Sequence, residues 1–230
     1  MRQTPAAPAP RSRRERPTKP ALTRDGIIST ALAILRTDGL EKVTMRRVAA
    51  ALDTGPASLY VYVRDTEDLH AQLLDELLGS VPPVVPADGD WRNHLAAALT
   101  NYLRVLFDHP GIARITLFTR PSGRHYLALL DLILSLLNEG GVADRDAAWA
   151  VDLLLHFATA TAAEQSARKS SPAAEEELAA LRAAVLTSDA ATYPNIARLG
   201  DQLFSGPGPV RFSWGLDVLI DGILARRSGP

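Results

Sequence analysis

Two short stretches between positions 44 and 62 carry side chains that suit hydrogen bonding to a nucleic acid. Arginine can pair with a phosphate or bind a guanine edge through two hydrogen bonds, and a serine hydroxyl can hydrogen-bond a base. Alanine and proline suit contact with a thymine methyl group, and tyrosine hydroxyls can reach phosphate oxygens. The residues of these types that a helical arrangement leaves facing outward are Arg46, Arg47, Pro56, Ala57, Ser58, Tyr60 and Tyr62.

Two short helices joined by a tight turn would have to position these side chains. Thr44 is a predicted N-cap for the run MRRVAAAL. Pro56 suits the first position of the next helix, PASLYVYV, because the N–H that proline lacks would be unpaired there anyway. Such a pair exposes the start of its second helix, as a helix-turn-helix does in a major groove. The apolar or small residues that would hold the pair together are Val48, Ala49, Leu52 and Leu59.

The same pattern is also typical of two amphipathic helices that only pack against each other. Residues 21–80 contain six basic and nine acidic residues, a net charge of −3, so no broad basic face is predicted. Four of the acids fall late, on a fourth predicted helix at 66–79, which can leave the surface around Arg46 locally positive. From spacing alone, DNA binding and plain packing both stay open.

The apolar spacing of the whole chain predicts an all-α fold. Thr23 is expected to cap the first helix, Gly39 to end it, and Asp65 to cap the fourth. No period-two alternation is sustained, so no strand is predicted. Residues 188–208 are rich in glycine and proline and are expected to form a loop with at most one short helical turn. The helices predicted beyond the fourth span residues 91–108, 110–119, 121–139, 144–168, 174–187 and 209–226.

Three regions follow: an arm at 1–20, a helix-turn-helix unit at 21–80 and a larger helical unit at 81–230. The arm contains five prolines, six basic residues and one acidic residue, so it is expected to be disordered with a local charge of +5. Since the whole chain carries −1, the other residues carry −6. A basic arm on an acidic body is a layout that attracts DNA, although a merely solvated tail has the same composition.

Cysteine is absent from the sequence, which excludes disulfides, cysteine-based zinc sites and thiol nucleophiles. The longest apolar runs are interrupted by Asp131 and Asp152, so none reaches the roughly 18 residues that a membrane span needs. The basic N-terminus also lacks the apolar core of a signal peptide. We therefore expect a cytoplasmic protein that does not bind a membrane.

The run from Leu22 to Leu77 resembles the DNA-binding domain of TetR-family regulators from end to end, through its first helix, the segment TMRRVA and the segment LYVYVRDTEDL. Two positions depart from the family pattern. Tyr62 stands where the family usually has histidine, and Thr66 stands where it usually has a lysine that clamps a phosphate. The DNA contacts that the resemblance implies are Thr44, Arg46, Pro56, Ala57, Ser58, Tyr60 and Tyr62.

The C-terminal part is similar to the regulatory domain of the tetracycline repressors, through TLFTRPSGRHY, LLHFATATAAEQ and FSWGLDVLIDGIL. This similarity implies a small-molecule inducer bound inside the body. It also implies a homodimer in which the last two helices form a four-helix bundle with the partner. The pocket residues that it implies are Tyr102, Thr116, Thr119, Arg120, Pro121, His156 and Glu164.

Two departures bear on the inducer. Thr116 stands where tetracycline repressors have a histidine that binds the drug's magnesium ion, and Pro82 stands where they have another pocket histidine. A hydroxyl is a poor substitute for an imidazole ligand, so we expect no binding of magnesium-tetracycline. No cofactor or metal site is predicted. Taken without the similarity, His156 on an apolar helix is more typical of a buried core histidine than of a ligand. The series Trp149, Leu153 and Phe157 is more typical of core or interface residues than of a binding site.

The sequence thus predicts a DNA-binding transcriptional regulator, a repressor that binds a palindromic operator as a homodimer until a small molecule releases it. An enzyme is disfavoured because the five histidines lack metal-site spacing and no phosphate loop or serine elbow is present. A structural helical dimer, or a regulator that binds a protein in place of DNA, is the third hypothesis. The acidic charge of residues 21–80 favours it.

Two expectations concern how the parts are joined. The last helix carries large apolar residues around most of its circumference, so a partner is expected to cover one side. Pairing with the helix predicted at 144–168 across a two-fold axis would supply this cover. The fourth helix is expected to be the only element that connects the DNA-binding unit with the body. The apolar residues of the last helix are Phe212, Trp214, Leu216, Val218, Leu219, Ile220 and Ile223.

Overall fold

The computed structural model of the chain describes residues 21–80, 90–119 and 121–226, and within these ranges it contains helices and turns but no strand. The predicted all-α fold is confirmed. The arm at 1–20 and Pro82 lie outside the described residues. The helices are α1 Arg24–Asp38, α2 Met45–Ala51, α3 Pro56–Leu59, α4 Thr66–Ser80, α5 Trp91–Asp108, α6 Pro110–Thr116, α7 Arg124–Glu139, α8 Asp144–Ser170, α9 Ala174–Leu186, α10 Pro194–Leu203 and α11 Gly208–Ala225.

Helices α1 to α4 pack around one apolar centre, and we call residues 23–80 the head. Helices α1 and α2 begin where the sequence predicts, because side-chain oxygens accept hydrogen bonds from otherwise unpaired N–H groups. The Thr23 hydroxyl accepts from Gly26 N at 3.1 Å, and the Thr44 hydroxyl accepts from Arg47 N at 3.2 Å. Gly39 ends α1 with φ +81°, a left-handed value that favours glycine. The fully buried centre of the head includes Ile27, Val48, Leu59, Leu69 and Leu73.

The third helix is shorter than predicted. It ends at Leu59, and the chain continues as a single hydrogen-bonded turn in which Leu59 O accepts from Tyr62 N and Val63 N. Leu59 and Val63 are both buried, four residues apart, whereas Val61 between them is 81% exposed. A single turn after α3 is therefore enough to bury both Leu59 and Val63.

The body consists of α5 to α11, and α8 runs through its centre. Helices α5, α6, α7 and α11 all pack against α8. The rings of Phe157 on α8 and Phe212 on α11 stack with centroids 5.3 Å apart. Gly215 allows this close crossing, because a Cβ there would lie 2.6 Å from the Phe157 ring.

Two expectations for the body were wrong. Residues 188–208 contain the ten-residue helix α10, which begins at Pro194, and not merely a loop. Its Gly200 is buried against Val185 and Leu186 of α9, so the glycine marks close helix packing and not a helix break. Helix α7 begins at Arg124, later than the predicted residue 121, because Gly123 is its extended N-cap residue.

The head and the body are connected by more than α4. Helix α4 packs against α5, α6 and α7, but α6 also packs against the 3-10 turn Leu40–Lys42 that follows α1. A Cβ on Gly111 of α6 would lie 2.8 Å from Leu40 Cβ, which shows how closely the two backbones approach. The expectation of a sole connecting helix was therefore wrong. Among the described residues, no helix is long and apolar enough to cross a membrane.

Candidate DNA-binding surface and ligand cavity

The residues predicted to contact DNA all lie on the exposed surface of α2, α3 and the turns next to them. The side chains that hold α2 against α3 face inward, with Val48, Ala49 and Leu59 buried. The start of α3 is left open, because its N-cap is Gly55, which has no side chain. The exposed predicted contacts are Thr44, Arg46, Arg47, Pro56, Ala57, Ser58, Tyr60 and Tyr62.

The two neighbouring arginines of α2 have different surroundings. The Arg47 guanidinium forms a hydrogen-bonded ion pair with Asp38 at the end of α1. Arg46 forms no ion pair with any residue that the structure describes, and its side chain faces solvent. Arg46 is therefore the arginine of this pair that can bind a phosphate or a base without first breaking a contact.

The two tyrosines after α3 also differ. Tyr60 is 56% exposed. The Tyr62 hydroxyl donates a 2.7 Å hydrogen bond to Leu22 O, forty residues away, just before α1. The residue that departs from the family pattern at this position thus fixes the start of α1 against the segment after α3. Tyr60 is the tyrosine whose side chain is turned outward.

A cavity of about 60 Å³ lies in the body between α5, α6, the start of α7 and α8. Inside it, the Tyr102 hydroxyl and the Thr159 hydroxyl lie 2.9 Å apart in a buried hydrogen bond. Thr116 donates its hydroxyl to Ile112 O at 2.8 Å, so its side chain is tied to its own helix. The lining residues are Tyr102, Thr116, Leu117, Phe118, Thr119, Tyr126, Leu155, His156 and Thr159.

Four of the seven predicted pocket residues line this cavity: Tyr102, Thr116, Thr119 and His156. His156 is exposed, so it is not the core histidine that its apolar helix also allowed. The other three residues are elsewhere. Pro121 is buried but is not among the lining residues, Glu164 is exposed and pairs with Arg168 at 2.7 Å, and Arg120 lies outside the described residues.

Sequence reasoning missed five lining residues: Leu117, Phe118, Tyr126, Leu155 and Thr159. A local signal existed for most of them. Thr159 follows His156 by about one helical turn, so both lie on one face of α8. Leu117, Phe118 and Tyr126 belong to the segment TLFTRPSGRHY, which carries the similarity to the tetracycline repressors.

A second group of polar side chains, which the sequence did not predict, lies where α4 meets the start of α7. Asp75 is only 2% exposed, and its Oδ1 accepts hydrogen bonds from His125 N at 3.0 Å and Tyr126 N at 2.8 Å. Asp75, Glu76 and His125 place ligand atoms within 4.8 Å of one another and so could hold a metal ion. However, Arg124 Nε donates to His125 Nε2 at 3.0 Å, and this neighbouring positive charge disfavours a cation.

An open cavity of about 440 Å³ adjoins this group and lies between the head and the body. One wall is a face of α1, and the opposite wall is formed by α4 and the start of α7. Both charge signs occur around it, since Arg24 Nη1 lies 3.6 Å from Glu76 Oε1. The lining residues are Arg24, Asp25, Ile28, Ser29, Leu32, Asp75, Glu76, Gly123 and Arg124.

One titratable group in the head is perturbed by its position. His70 on α4 is buried, and its Nε2 lies 3.1 Å from Val43 O, just before α2. Burial lowers the pKa of the His70 imidazole from its ordinary value, although the contact with Val43 opposes this effect. Burial also lowers the pKa of His109, which precedes α6.

Helices α8 and α11 present a second, unusually apolar surface. Phe212, Leu216, Ile220 and Ile223 face the interior, but Trp149 is 61% exposed and Trp214 is 68% exposed. The large apolar residues exposed on these two helices are Trp149, Leu153, Val210, Trp214 and Val218. The last helix is thus apolar on two sides, as predicted, and the described residues cover only one of them.

Family models match both parts of the chain. The model "Bacterial regulatory proteins, tetR family" matches residues 27–73, and the model "Tetracyclin repressor-like, C-terminal domain" matches residues 83–227. The chain belongs to the TetR family. It is a DNA-binding transcriptional regulator with an N-terminal helix-turn-helix and a C-terminal ligand-binding domain of the tetracycline-repressor kind.

Individual relatives agree with this assignment along nearly the whole chain. The transcriptional repressor DrrR1 of Streptomyces coeruleorubidus is 30% identical over 227 residues, 94% of this chain and 84% of that protein. The class C tetracycline repressor of Escherichia coli is 30% identical over 211 residues, 90% of this chain and 92% of that protein.

Solved structures of the family also superpose on this chain. The Streptomyces coelicolor regulator ActR in complex with actinorhodin has a TM-score of 0.79 at 34% identity, covering 90% of this chain and 97% of that one. Another Streptomyces transcription regulator has a TM-score of 0.77 at 48% identity, covering 92% and 98%. TetR-family regulators form homodimers, and the exposed apolar surface of α8 and α11 is where such a partner would be expected.

Proposed function

We propose that this TetR-family regulator is a repressor that reads its operator mainly through Arg46, Ser58 and Tyr60. The proposal rests mainly on Arg46, which is exposed and has no ion-pair partner among the described residues. Arg46 lies beside the open start of α3. A guanidinium with this freedom can bind a guanine edge or a phosphate, and the Ser58 hydroxyl can reach a base. Thr44, Pro56 and Ala57 complete the surface.

Arg47 and Tyr62 receive a positioning role within this proposal. The ion pair of Arg47 with Asp38 joins α2 to the end of α1. The hydrogen bond of Tyr62 with Leu22 O joins the segment after α3 to the start of α1. Both contacts hold the reading surface in place, so these two residues contribute less to base recognition than Arg46.

The inducer proposed for the body is an apolar molecule with a few hydrogen-bonding groups. The cavity has the required mixture, since the buried pair Tyr102 and Thr159 faces apolar neighbours and His156 lies at its edge. Its volume of about 60 Å³ is far below the roughly 300–1,000 Å³ of ordinary ligand sites, so the inducer has to widen it. The solved complex of ActR with actinorhodin supports a small organic molecule as the ligand of this cavity.

The proposed function also assigns a role to each region of the chain. We divide it into an arm at 1–20, a DNA-binding unit at 21–80 and a ligand-binding and dimerisation unit at 81–230. The basic arm adds non-specific attraction to DNA. Arg120, Pro121 and Glu164 stay candidates for inducer contact, with Glu164 acting from outside the cavity described above. The protein acts in the cytoplasm, without catalytic activity and without a cofactor.

The experiment uses the full chain, DNA from upstream of its own gene, and two defined probes. Gel shifts should show binding to that DNA and not to a scrambled duplex. Actinorhodin should weaken this binding, and magnesium-tetracycline should not, because Thr116 lacks the imidazole that would bind the ion. Failure to bind the upstream DNA would contradict the operator proposal, and release by magnesium-tetracycline would contradict the role given to Thr116.

A further inference from the structure

Asp75 and the first turn of α7 form a specific contact between the head and the body, which we call the joint. The Asp75 carboxylate is almost fully buried, and one oxygen accepts two backbone N–H groups from the first turn of α7. Unpaired N–H groups and the positive end of the helix dipole make this position favourable for a negative side chain. Helix α4, which belongs to the head, is therefore held to the body at a defined point.

Gly123 provides the space for this joint. Its backbone is extended, with φ −80° and ψ 171°, a conformation that any residue can adopt. A Cβ at this position would overlap the Asp75 carboxyl group. The missing side chain at 123 is thus explained by the approach of Asp75 and not by backbone strain.

The ligand cavity borders the same segment on both sides along the chain. Thr119 precedes Gly123 and lines the cavity, and Tyr126 follows it and also lines the cavity. The backbone N–H of Tyr126 is itself one of the two donors to Asp75. A ligand that widens a cavity of about 60 Å³ has to displace its walls, and two of those walls flank the joint.

Helix α4 also contacts two other parts of the head, near the joint and one to two turns before it. Glu76, next to Asp75, pairs with Arg24 at the start of α1, and His70 lies one to two turns earlier on α4 against Val43 O. The cavity of about 440 Å³ between α1 and the start of α7 leaves room for these parts to change their separation. A movement of α4 is therefore passed on to both α1 and the segment before α2.

We propose that Asp75 is the positioning residue that couples the ligand cavity to the DNA-reading head. With the cavity closed, the hydrogen bonds from His125 N and Tyr126 N hold α4 at the separation that suits the operator. Ligand entry displaces Tyr126, releases Asp75 and allows the heads of the dimer to change their spacing, so the operator is lost. This proposal rests on the proposed function, because it needs the inducer to occupy this cavity.

The test measures the distance between the two heads of the dimer by pulsed electron spin resonance. The chain contains no cysteine, so one introduced cysteine gives one label per protomer. Ala33→Cys places the label on the exposed side of α1, and Asn138→Cys places a control label on the exposed end of α7. The variants are Asp75→Ala, which removes the acceptor, and Gly123→Ala, which keeps it but blocks its approach. Glu67→Gln is the matched control, because Glu67 is an exposed carboxylate in the first turn of the same helix.

The wild-type protein and Glu67→Gln are expected to give one narrow head-to-head distance. Asp75→Ala and Gly123→Ala should both broaden or shift it by several ångströms, while the distance between the α7 labels stays the same. Combining the two substitutions should add nothing to Asp75→Ala alone, because the methyl group then has no carboxylate to displace. Unchanged head distances, or an equal change in the α7 labels, would overturn the proposal.

A ligand-free mimic tests the link to the cavity. Thr116→Phe places a ring in the cavity and should shift the head distance as Asp75→Ala does. A wild-type distance in this variant would contradict the coupling between the cavity and the head. The upstream DNA separates this proposal from the proposed function. If the wild-type protein does not bind that DNA, the proposed function fails, whereas the label distances still decide whether Asp75 sets the position of the head.

Discussion

At the scale of single residues, the reading surface is asymmetric in a way that the sequence does not show. Arg46 and Arg47 are neighbours of the same type, yet only Arg47 is held by Asp38. An arginine that is already paired has to break its contact before it binds DNA, and an exposed pair of this kind contributes about 1 kcal/mol at most to stability. The pairing therefore affects where Arg47 points more than how stable the head is.

Replacing Arg46 by alanine should weaken operator binding by roughly 1–3 kcal/mol and relax specificity at one base pair. Arg47→Ala is the matched control, and it should cost less and leave the sequence preference unchanged. Fluorescence anisotropy with the operator and with single-base variants measures both effects. Equal losses for the two variants would contradict the different roles assigned to them.

The buried His70 predicts a pH dependence of stability. Because burial lowers its pKa in the folded head, the unfolded chain binds the proton more readily as the pH falls below about 6.5. The contribution of the neutral His70 to the free energy of unfolding is therefore fully present above that pH, and it is lost as the pH falls. His70→Gln should show a smaller fall in Tm between about pH 7.5 and 5.5 than the wild type, the remainder coming from His109. An identical fall in both proteins would contradict this assignment.

At the scale of elements, the local rules of capping and apolar spacing predicted most helices but not their junctions. Thr23, Thr44 and Gly39 act within a few residues of themselves, so their roles can be read from the sequence. The helix beginning at Pro194 was missed because its Gly200 reads as a helix breaker until the packing of α9 is known. Asp75 meets Tyr126 across 51 positions, and no local pattern announces such a contact.

The residues of the candidate site also differ in whether a local sequence pattern could predict them. The exposed residues of α2 and α3 could be predicted because a helix-turn-helix fixes which positions face outward. The cavity could be predicted only in part, since Leu155 becomes a lining residue through the way α8 crosses α5 and α6. The contact of Tyr62 with Leu22 O likewise depends on tertiary packing between residues forty positions apart.

The second connection between head and body gives a prediction for α6. In Gly111→Ala the new Cβ would lie 2.8 Å from Leu40 Cβ, so α6 and the turn after α1 have to separate. The expected loss is about 1–3 kcal/mol in the free energy of unfolding, as for other overpacked contacts. Gly55→Ala is the matched control, because nothing lies within 4 Å of a Cβ there. Urea unfolding that finds no difference between the two would show that this contact is not tight.

At the scale of the whole molecule, the apolar surface of α8 and α11 should be the dimer interface. Trp214 is 68% exposed in the single chain, and a buried tryptophan at an interface commonly contributes 2 kcal/mol or more. Trp214→Glu should therefore raise the dimer dissociation constant by at least about thirtyfold in sedimentation experiments. Phe118→Glu is the control, since Phe118 is 86% exposed but lies outside this surface. A dimer unaffected by Trp214→Glu would place the interface elsewhere.

The two heads of one dimer are expected to bind two half-sites together, and a titration with two duplexes measures this. Anisotropy would compare an upstream operator with both half-sites, about 34–36 Å apart in the groove, with the same duplex carrying one scrambled half-site. We expect the intact operator to bind at least a hundredfold more tightly than the scrambled one, and to lose this advantage in Arg46→Ala. Equal affinity of the wild-type protein for both duplexes would show that the two heads do not bind the operator together.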